Sequence, residues 1–528
     1  MTLVLLWLCI CLLGATPGAA QQELILWGQG RDRGLDAALR QFEVEHPGWK
    51  VITTSGSSGG MDPQKLMTGI AGGAPPDLVK QDRFSVGEWA VRDAFLRLDD
   101  YVATSLRGEA LARQGVAALI SAETDSAASA YEKLIQHLQP LGATRQIELA
   151  RSLHGGQLSV DQSQALAEEL LGLVSGIHEQ LFFSACWEEA CFGEADARGV
   201  YAIPNSTDDR ALYYNEDLLE RAGLVDSAGR ARPPRDWREL QDHAVRLTDR
   251  DSDGNMTRLG FAPNFGNSWL YIYGWLNGGR FMSPDGRTCS LAEPRIVEAL
   301  QYMVDVYDAL GGIEEVESFQ SGFQSDEFDP FLTGKVAMKI DGNGVLNSIA
   351  TYAPGLRFGV APAPAPAGRQ SITWSGGFSW AIPRGSGQPD MAFELIRFLN
   401  TDRIWDLRYQ VDARYAASRG RNFVPAMSPM PHINAAAFAR HVQANTELPQ
   451  RIKDNFLLFD RLMEVSRFRP VTPVGQLLWD EHRRAYEKAV HHTYLPHEAL
   501  QRGQAAVQAE LDLIHADIDY PPINWALP

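Results

Sequence analysis

The sequence predicts an α/β protein of more than one lobe, and three observations carry that prediction. Short apolar runs alternate with helically spaced apolar residues over 21–80, and the same texture returns over 200–310. Such alternation argues for parallel sheets covered by helices on both faces. At 528 residues the chain exceeds what one core supports, which suggests about three domains or two large lobes. A composition of 45% hydrophobic and 22% charged residues excludes global disorder and a coiled coil.

The elements follow in order. Residues 3–13 (LVLLWLCICLL) form an apolar run that ends in small residues at Gly18-Ala19-Ala20. The run is shorter than the roughly 20 residues a membrane-spanning helix needs, and it reads as a secretory leader cleaved after Ala20. No later stretch approaches that length. Residues 23–27 (ELILW) make a first strand. Leu35, Leu39 and Phe42 then share one face of a helix that stops at His46-Pro47-Gly48. Residues 49–53 are a second strand and SGSSGG (55–60) a loop. Asp62 and Pro63 supply an N-cap and a first-turn proline, Gly72-Gly73 ends that helix, and a third strand begins at 77–80.

Residues 105–180 change texture. They are rich in Ala, Leu, Gln and Glu, with Leu134 and Leu138, then Leu166, Leu170 and Leu173, at helical spacing. A helical insertion of three or four helices is expected here. Helices are also expected over 236–248, where Trp237, Leu240, Ala244 and Leu247 share a face, and over 294–310. APAPAPAG (361–368) reads as a linker and 440–528 as mostly helical. The charge is −18 with a pI near 5.2, which argues against nucleic acid and anionic membrane surfaces as partners. Past the leader stand Cys186, Cys191 and Cys289. Cys186 and Cys191, five apart, could close a small disulfide in an exported protein, or could be two buried thiols. Zinc spacing is absent.

Several stretches taken in register resemble one family. They are LILWGQG (24–30), FEVEHPGWKV (42–51), QKLMTGIAGGAPPDLV (64–79), QDRF (81–84), VYAIPNSTDDRALYYNEDLLERAGL (200–224), PPRDWREL (233–240), NGGRFMSPDG (277–286), FLTGKVAMKIDG (331–342) and WSGGFSWAIP (374–383). Over about 21–105 and 185–510 the chain resembles the maltose-binding-protein-like solute-binding proteins of sugar ABC importers. The resemblance implies two α/β lobes joined by a hinge, with ligand in the cleft between them. It assigns 21–205 and 357–405 to an N-terminal lobe, and 206–356 and 406–528 to a C-terminal lobe. The helical block at about 105–180 departs from the family pattern. The implied protein is periplasmic and monomeric, performs no chemistry, and hands its sugar, polyol or glycoside to permease subunits.

A sugar offers hydroxyls to carboxylates, amides and Arg, and apolar C–H faces to Trp and Tyr. The resemblance places such residues at the cleft. Gln29, Arg31 and Asp32 follow the first strand. Asp82 and Arg83 stand in QDRF. Asp208 and Asp209 follow the IP crossing. Asn267 and Trp269 share a loop, and Trp374 stands beside Gly376 and Gly377, which would let backbone approach the ligand. Trp479 stands where maltose binders carry a stacking Trp. Gly344 occupies the position of a second one, which speaks against maltose itself. Trp237, Tyr214 and Trp275 are read as structural.

Two further motifs carry alternatives. Asp249, Asp251 and Asp253 before Gly254 match the first half of a calcium loop, but its twelfth position is Gly260, and relatives often carry a metal-free turn here. No other cofactor is expected. Gly56-Ser57-Ser58-Gly59-Gly60 fits the G-x-S-x-G pattern, so a secreted hydrolase using Ser58 is one alternative function. A ligand-gated sensor or docking protein, using the inserted helices, is the other.

Overall fold

The computed structural model describes residues 21–30, 32–54, 62–121, 124–139, 144–155, 159–193 and 197–517. The leader and its cleavage point after Ala20, Arg31, and the Ser58 loop lie outside the described residues. Three strands open the chain: β1 (Gln22–Trp27), β2 (Trp49–Thr54) and β3 (Leu78–Asp82). They form one five-stranded sheet in the order β2, β1, β3, Phe378–Ala381, Ile203–Pro204. β1 runs parallel to both neighbours, whereas Phe378–Ala381 is antiparallel to β3 and to Ile203–Pro204. The helix Arg33–Glu45 buries Leu35, Ala38, Leu39 and Phe42 against this sheet, with Asp32 as its N-cap.

The second lobe departs from the parallel expectation. Its strand Arg210–Asn215 lies between Met338–Gly342 and Phe358–Ala361 and is antiparallel to both. The reason is topological. The helix Val345–Tyr352 joins the two outer strands as a crossover, which makes them parallel to each other. The strand arriving from the first lobe enters the gap between them in the opposite sense.

Two lobe boundaries are corrected. Phe358–Ala361 belongs to the second lobe through its ladder with Arg210–Asn215, so the chain returns to the first lobe after 361 rather than at 357. The helix Asp402–Ala417 packs on Arg33–Glu45 and places Ile404, Trp405 and Tyr409 in the first lobe's core, as do Met430, Ile433 and Ala437 further on. The first lobe therefore extends well past 405. Residues 474–511 return to the second lobe's core. Three segments run between the lobes. The first, near 205–209, bridges to the second through Asp208 and Gly376. The second holds Thr373–Trp374, which pairs in parallel with Ser466–Arg467 of the third.

Among the described residues the insertion forms the helices Asp99–Ser121, Thr124–Leu138, Thr144–His154 and Val160–Leu173. They enclose a core of their own, which includes Leu134, Leu138, Leu170 and Leu173. Ser159 and Gln162 close a capping box at the start of the last helix. Among the described residues no helix is long and apolar enough to cross a membrane.

The disulfide reading falls. Cys186 and Cys191 are free and buried in different clusters, and the Cys186 thiol donates to Thr207 Oγ1 at 3.3 Å.

Gly34 marks the tightest crossing of the two long first-lobe helices. A Cβ there would lie 3.0 Å from Arg408 Cβ and 3.1 Å from Arg408 O. Gly34→Val should therefore destabilise the protein by about 1–3 kcal/mol, and urea unfolding measures it.

Candidate functional site

A cavity of about 600 Å³ opens between the lobes. β3 ends at its edge and delivers Asp82, followed by Phe84 and Ser85 from the short turn after it. The first crossing segment delivers Asp208 and Arg210, the loop before Leu270–Leu276 delivers Asn267 and Trp269, and the second crossing delivers Trp374, Gly376 and Gly377. The third crossing contributes Arg469, and the helix Gly475–Val490 presents Trp479 and Gln476 from its first turns.

Charge in the cavity is paired and held in place. The Arg469 guanidinium binds the Asp82 carboxylate and stands 4.2 Å from the Phe84 ring centre. Arg210 Nη1 donates to Asp208 Oδ1 at 2.8 Å and to Trp374 O at 2.9 Å, and its guanidinium lies 4.0 Å from the Trp374 ring centre. Arg210 Nε donates to Asn267 O at 3.3 Å. Asp82 and Asp208 keep about a third of their side chains open to solvent, at 29% and 34%. Each therefore retains acceptor capacity for an incoming hydroxyl.

Aromatic rings line the same cavity. Trp269 and Trp479 meet edge to face at 5.3 Å, and Phe84 stands 6.1 Å from Trp479. Behind Trp479 lie Tyr271, at 6.1 Å and nearly parallel, and His482 at 4.6 Å. Trp374 closes the floor, almost fully covered by its neighbours. Paired carboxylates and guanidiniums beside flat apolar faces can take a ligand that has both hydroxyl edges and C–H faces.

The structure thus gathers Asp82, Asp208, Asn267, Trp269, Trp374, Gly376, Gly377 and Trp479 into one cavity. Four other candidates lie elsewhere. Arg83 is fully buried and turned away from the cavity. Its Nε donates to Glu189 at 2.9 Å, and its Nη2 donates to Ser375 Oγ at 3.1 Å and to Gly376 O at 2.6 Å. Asp209 is fully buried, with neither carboxylate oxygen hydrogen-bonded. Along an extended segment side chains alternate, so Asp208 and Arg210 share the cavity face while Asp209 points behind it. Gln29 is buried and donates to Gly30 O. Asp32 accepts from Leu35 N at 2.8 Å as a helix cap and lines a separate cavity of about 420 Å³ with Arg33, Arg408, Asn343 and Gly344. In that second cavity burial, aided by Asp32, pushes the Asp412 carboxyl up to about 6.

Glycine at 376 and 377 serves the crossing strands more than the ligand. A Cβ on Gly376 would lie 2.6 Å from Asp208 Oδ1, and one on Gly377, where φ is +133, would lie 2.6 Å from Arg83 Nη1. Sequence reasoning missed Arg210, Arg469, Phe84 and Gln476. Strand alternation from Asp208 was the available signal for Arg210, membership of QDRF for Phe84, and helical spacing from Trp479 for Gln476; Arg469 has none in the local sequence.

The calcium reading is not supported by the geometry. Asp251 accepts from Asp253 N, Asn255 N and Asn255 Nδ2 at 3.0, 2.9 and 3.2 Å, which makes a hairpin turn, and Asp249 pairs with Arg258. Among the described residues no three His, Cys, Asp or Glu side chains are placed to hold a metal.

Two hinged α/β lobes with a polar and aromatic cavity between them define a binding protein of the two-lobed class. The chain belongs to the bacterial extracellular solute-binding protein family, whose model matches residues 37–415. A putative binding protein of Brucella abortus (strain 2308) is 26% identical over 297 residues, 56% of this chain. The chain spans 63% of that curated relative's length. The solved structure of CpMnBP1 with mannobiose bound superposes with a TM-score of 0.63 at 21% identity, covering 92% of this chain and 100% of that one. The sugar-binding protein MalE of Xanthomonas citri gives 0.59 at 16% identity, covering 94% and 99%. At these identities the solved structures establish the fold.

Two stability effects follow from this geometry. Burial first, then the charge of Asp208, holds the Asp209 carboxyl well above its ordinary value. Asp209 is then protonated in the fold at a pH where the unfolded chain is ionised, so its ionisation opposes folding at neutral pH and not below about 4. Asp209→Asn should therefore raise the melting temperature at pH 7 and do little at pH 4, read by thermal melts at both. Burial also depresses His482 to about 3. The stability tied to its neutral form is whole above pH 6.5, and falls by about 1.4 kcal/mol per unit as pH drops from 6.5 toward 3. Denaturation of His482→Asn between pH 6.5 and 5 should show a shallower slope than the native chain.

Proposed function

We propose that this protein captures a sugar, or a related polyol or glycoside, in the cavity between its lobes and delivers it unchanged to the permease subunits of an ABC importer. It acts in the periplasm, after a leader is removed behind Ala20, and as a monomer. One observation carries the reading: Trp269 and Trp479 line one cavity, shared by both lobes, together with Asp82, Asp208, Arg210 and Arg469. Family membership supports it. So do relatives whose structures hold mannobiose or are described as sugar-binding.

Both lobes line the cavity, so a guest bridging them stabilises whichever arrangement lets both contact it. Gly344, in the place of a second stacking Trp in maltose binders, lines the neighbouring cavity instead. The reading therefore favours a guest held mainly against the Trp269 and Trp479 side.

A thermal-shift panel of mono- and disaccharides, polyols and glycosides tests this. A cognate solute at a hundredfold its Kd should add about 2.7 kcal/mol of stability, and Trp479→Ala should weaken its binding by about 10-fold or more. A panel in which no solute raises the melting temperature would overturn the reading.

A further inference from the structure

We infer that a second pocket, on the far side of the aromatic layer that walls the cleft, binds a small organic anion with a flat apolar body, of the aromatic carboxylate class. The pocket encloses about 270 Å³, at the small end of ligand sites. Its walls are Trp275, Phe281, Ile372 and Phe468, and two arginines, Arg280 and Arg467, open onto it.

The charge around it is mostly positive, although the Glu293 carboxylate stands at the rim, 3.4 Å from where a Cβ on Gly279 would lie. Among the described residues neither Arg280 nor Arg467 has a carboxylate partner for its guanidinium. Arg280 meets Glu293 only through its backbone N–H, at 2.6 Å. Arg467 is engaged through its backbone, which accepts from Ser375 N at 2.8 Å. Two more guanidiniums approach the rim. A Cβ on Gly278, a residue of the pocket wall, would lie 2.7 Å from Arg295 Nη1 and 2.9 Å from Arg369 Nη1. Arg295 Nη1 reaches Gly278 O at 3.3 Å, and Arg369 also lacks a carboxylate partner among the described residues. Among the described residues no carboxylate lines the pocket itself, in a chain whose net charge is −18.

Most other arginines at the lobes' junction are paired: Arg83 with Glu189, Arg210 with Asp208, Arg469 with Asp82. Unpaired guanidiniums facing an aromatic recess are the exception here. A guanidinium fork matches a carboxylate in two parallel charge-assisted bonds. Trp275 and Phe281, at 5.7 Å and nearly perpendicular, offer a face and an edge to a planar body. The pocket is separate from the cleft. The segment 467–470 runs between them, turning Arg469 into the cleft and Arg467, Phe468 and Pro470 into the pocket. Trp275 and Trp374, 6.1 Å apart, are the two sides of one wall.

Calorimetric titration of the full chain at low salt, with benzoate and with benzyl alcohol as its uncharged counterpart, tests the assignment. Benzoate should bind saturably at one site, with benzyl alcohol at least about 10-fold weaker. The double variant Arg280→Gln with Arg467→Gln should lose at least about 10-fold for benzoate, while Trp479→Ala in the cleft leaves it unchanged. Crystals of the native chain soaked in para-bromobenzoate supply a reading that needs no variant: the bromine signal should stand beside Trp275. Absence of benzoate binding, equal binding of the alcohol, loss in Trp479→Ala instead of the arginine variant, or bromine in the cleft would each overturn the assignment.

Discussion

A guanidinium sealed from water holds the connection between the lobes in place. Arg83 follows the last residue of β3 and sends its donors to Glu189, to Ser206 O of the first crossing, and to Ser375 and Gly376 of the second. Its own backbone N–H donates to Gly377 O at 3.1 Å. A buried guanidinium left unpaired would be strongly destabilising, so its satisfied geometry is narrowly determined. One side chain thereby fixes the end of a first-lobe strand relative to two crossing strands. Gly376 and Gly377 are part of that fixation, because any side chain there would displace the groups they admit.

The network reaches the cavity through Arg469. Its guanidinium binds Asp82 and comes within 3.6 Å of Glu189, which is also the counter-charge of Arg83. The acid that lines the cavity and the arginine that pins the crossings therefore share one ionic cluster. A guest that accepts from Arg469 or donates to Asp82 acts on a group already tied to the hinge. The aromatic wall is placed by the same residues: Arg469 stands 5.5 Å from Trp374 and 5.6 Å from Trp479, and Arg210 covers Trp374. A cation over a ring face is attracted by the ring quadrupole and so helps to fix the ring's orientation.

The sequence made the first lobe's start legible because its signals are local. Leucines at helical spacing, an Asp-Pro entry and apolar strands of five or six residues sufficed for β1 to β3 and the helices between them. The inserted helices were legible for the same reason, since their leucines meet one another. The lobe boundaries at 357 and 405 were not, because Phe358–Ala361 and Asp402–Ala417 are assigned by partners more than a hundred residues away. Within the site, chemistry was legible and direction was not. Asp-Arg and Asp-Asp pairs announced a polar cleft, but neighbours on an extended chain point to opposite sides. Asp82 and Asp208 therefore face the cavity, while Arg83 and Asp209 serve the interior. Asp32 illustrates a different competition, since its carboxylate is used by the helix that begins one residue later.

The insertion shows how such a fold accepts new material without disturbing its site. Its first helix, Asp99–Ser121, is continuous with the first lobe, and the chain leaves it where Gly176 N donates to Glu109 and Ile177 N to Ser105 Oγ. Gly176 is required at that seam, because a Cβ would lie 3.0 Å from the Leu106 Cα. Entry and exit are thus tied by backbone hydrogen bonds to a single helix, and everything between them buries its leucines internally. None of the described inserted residues lines the cavity. The hinge cluster of Arg83, Glu189, Arg469 and Asp82 likewise draws nothing from it. An element with its own core, tied to its lobe at this seam and through the bond from Arg397 to Leu173 O, can move with that lobe as a passenger, so the cavity is built by the crossings and by the strand end, loop and helix that meet them.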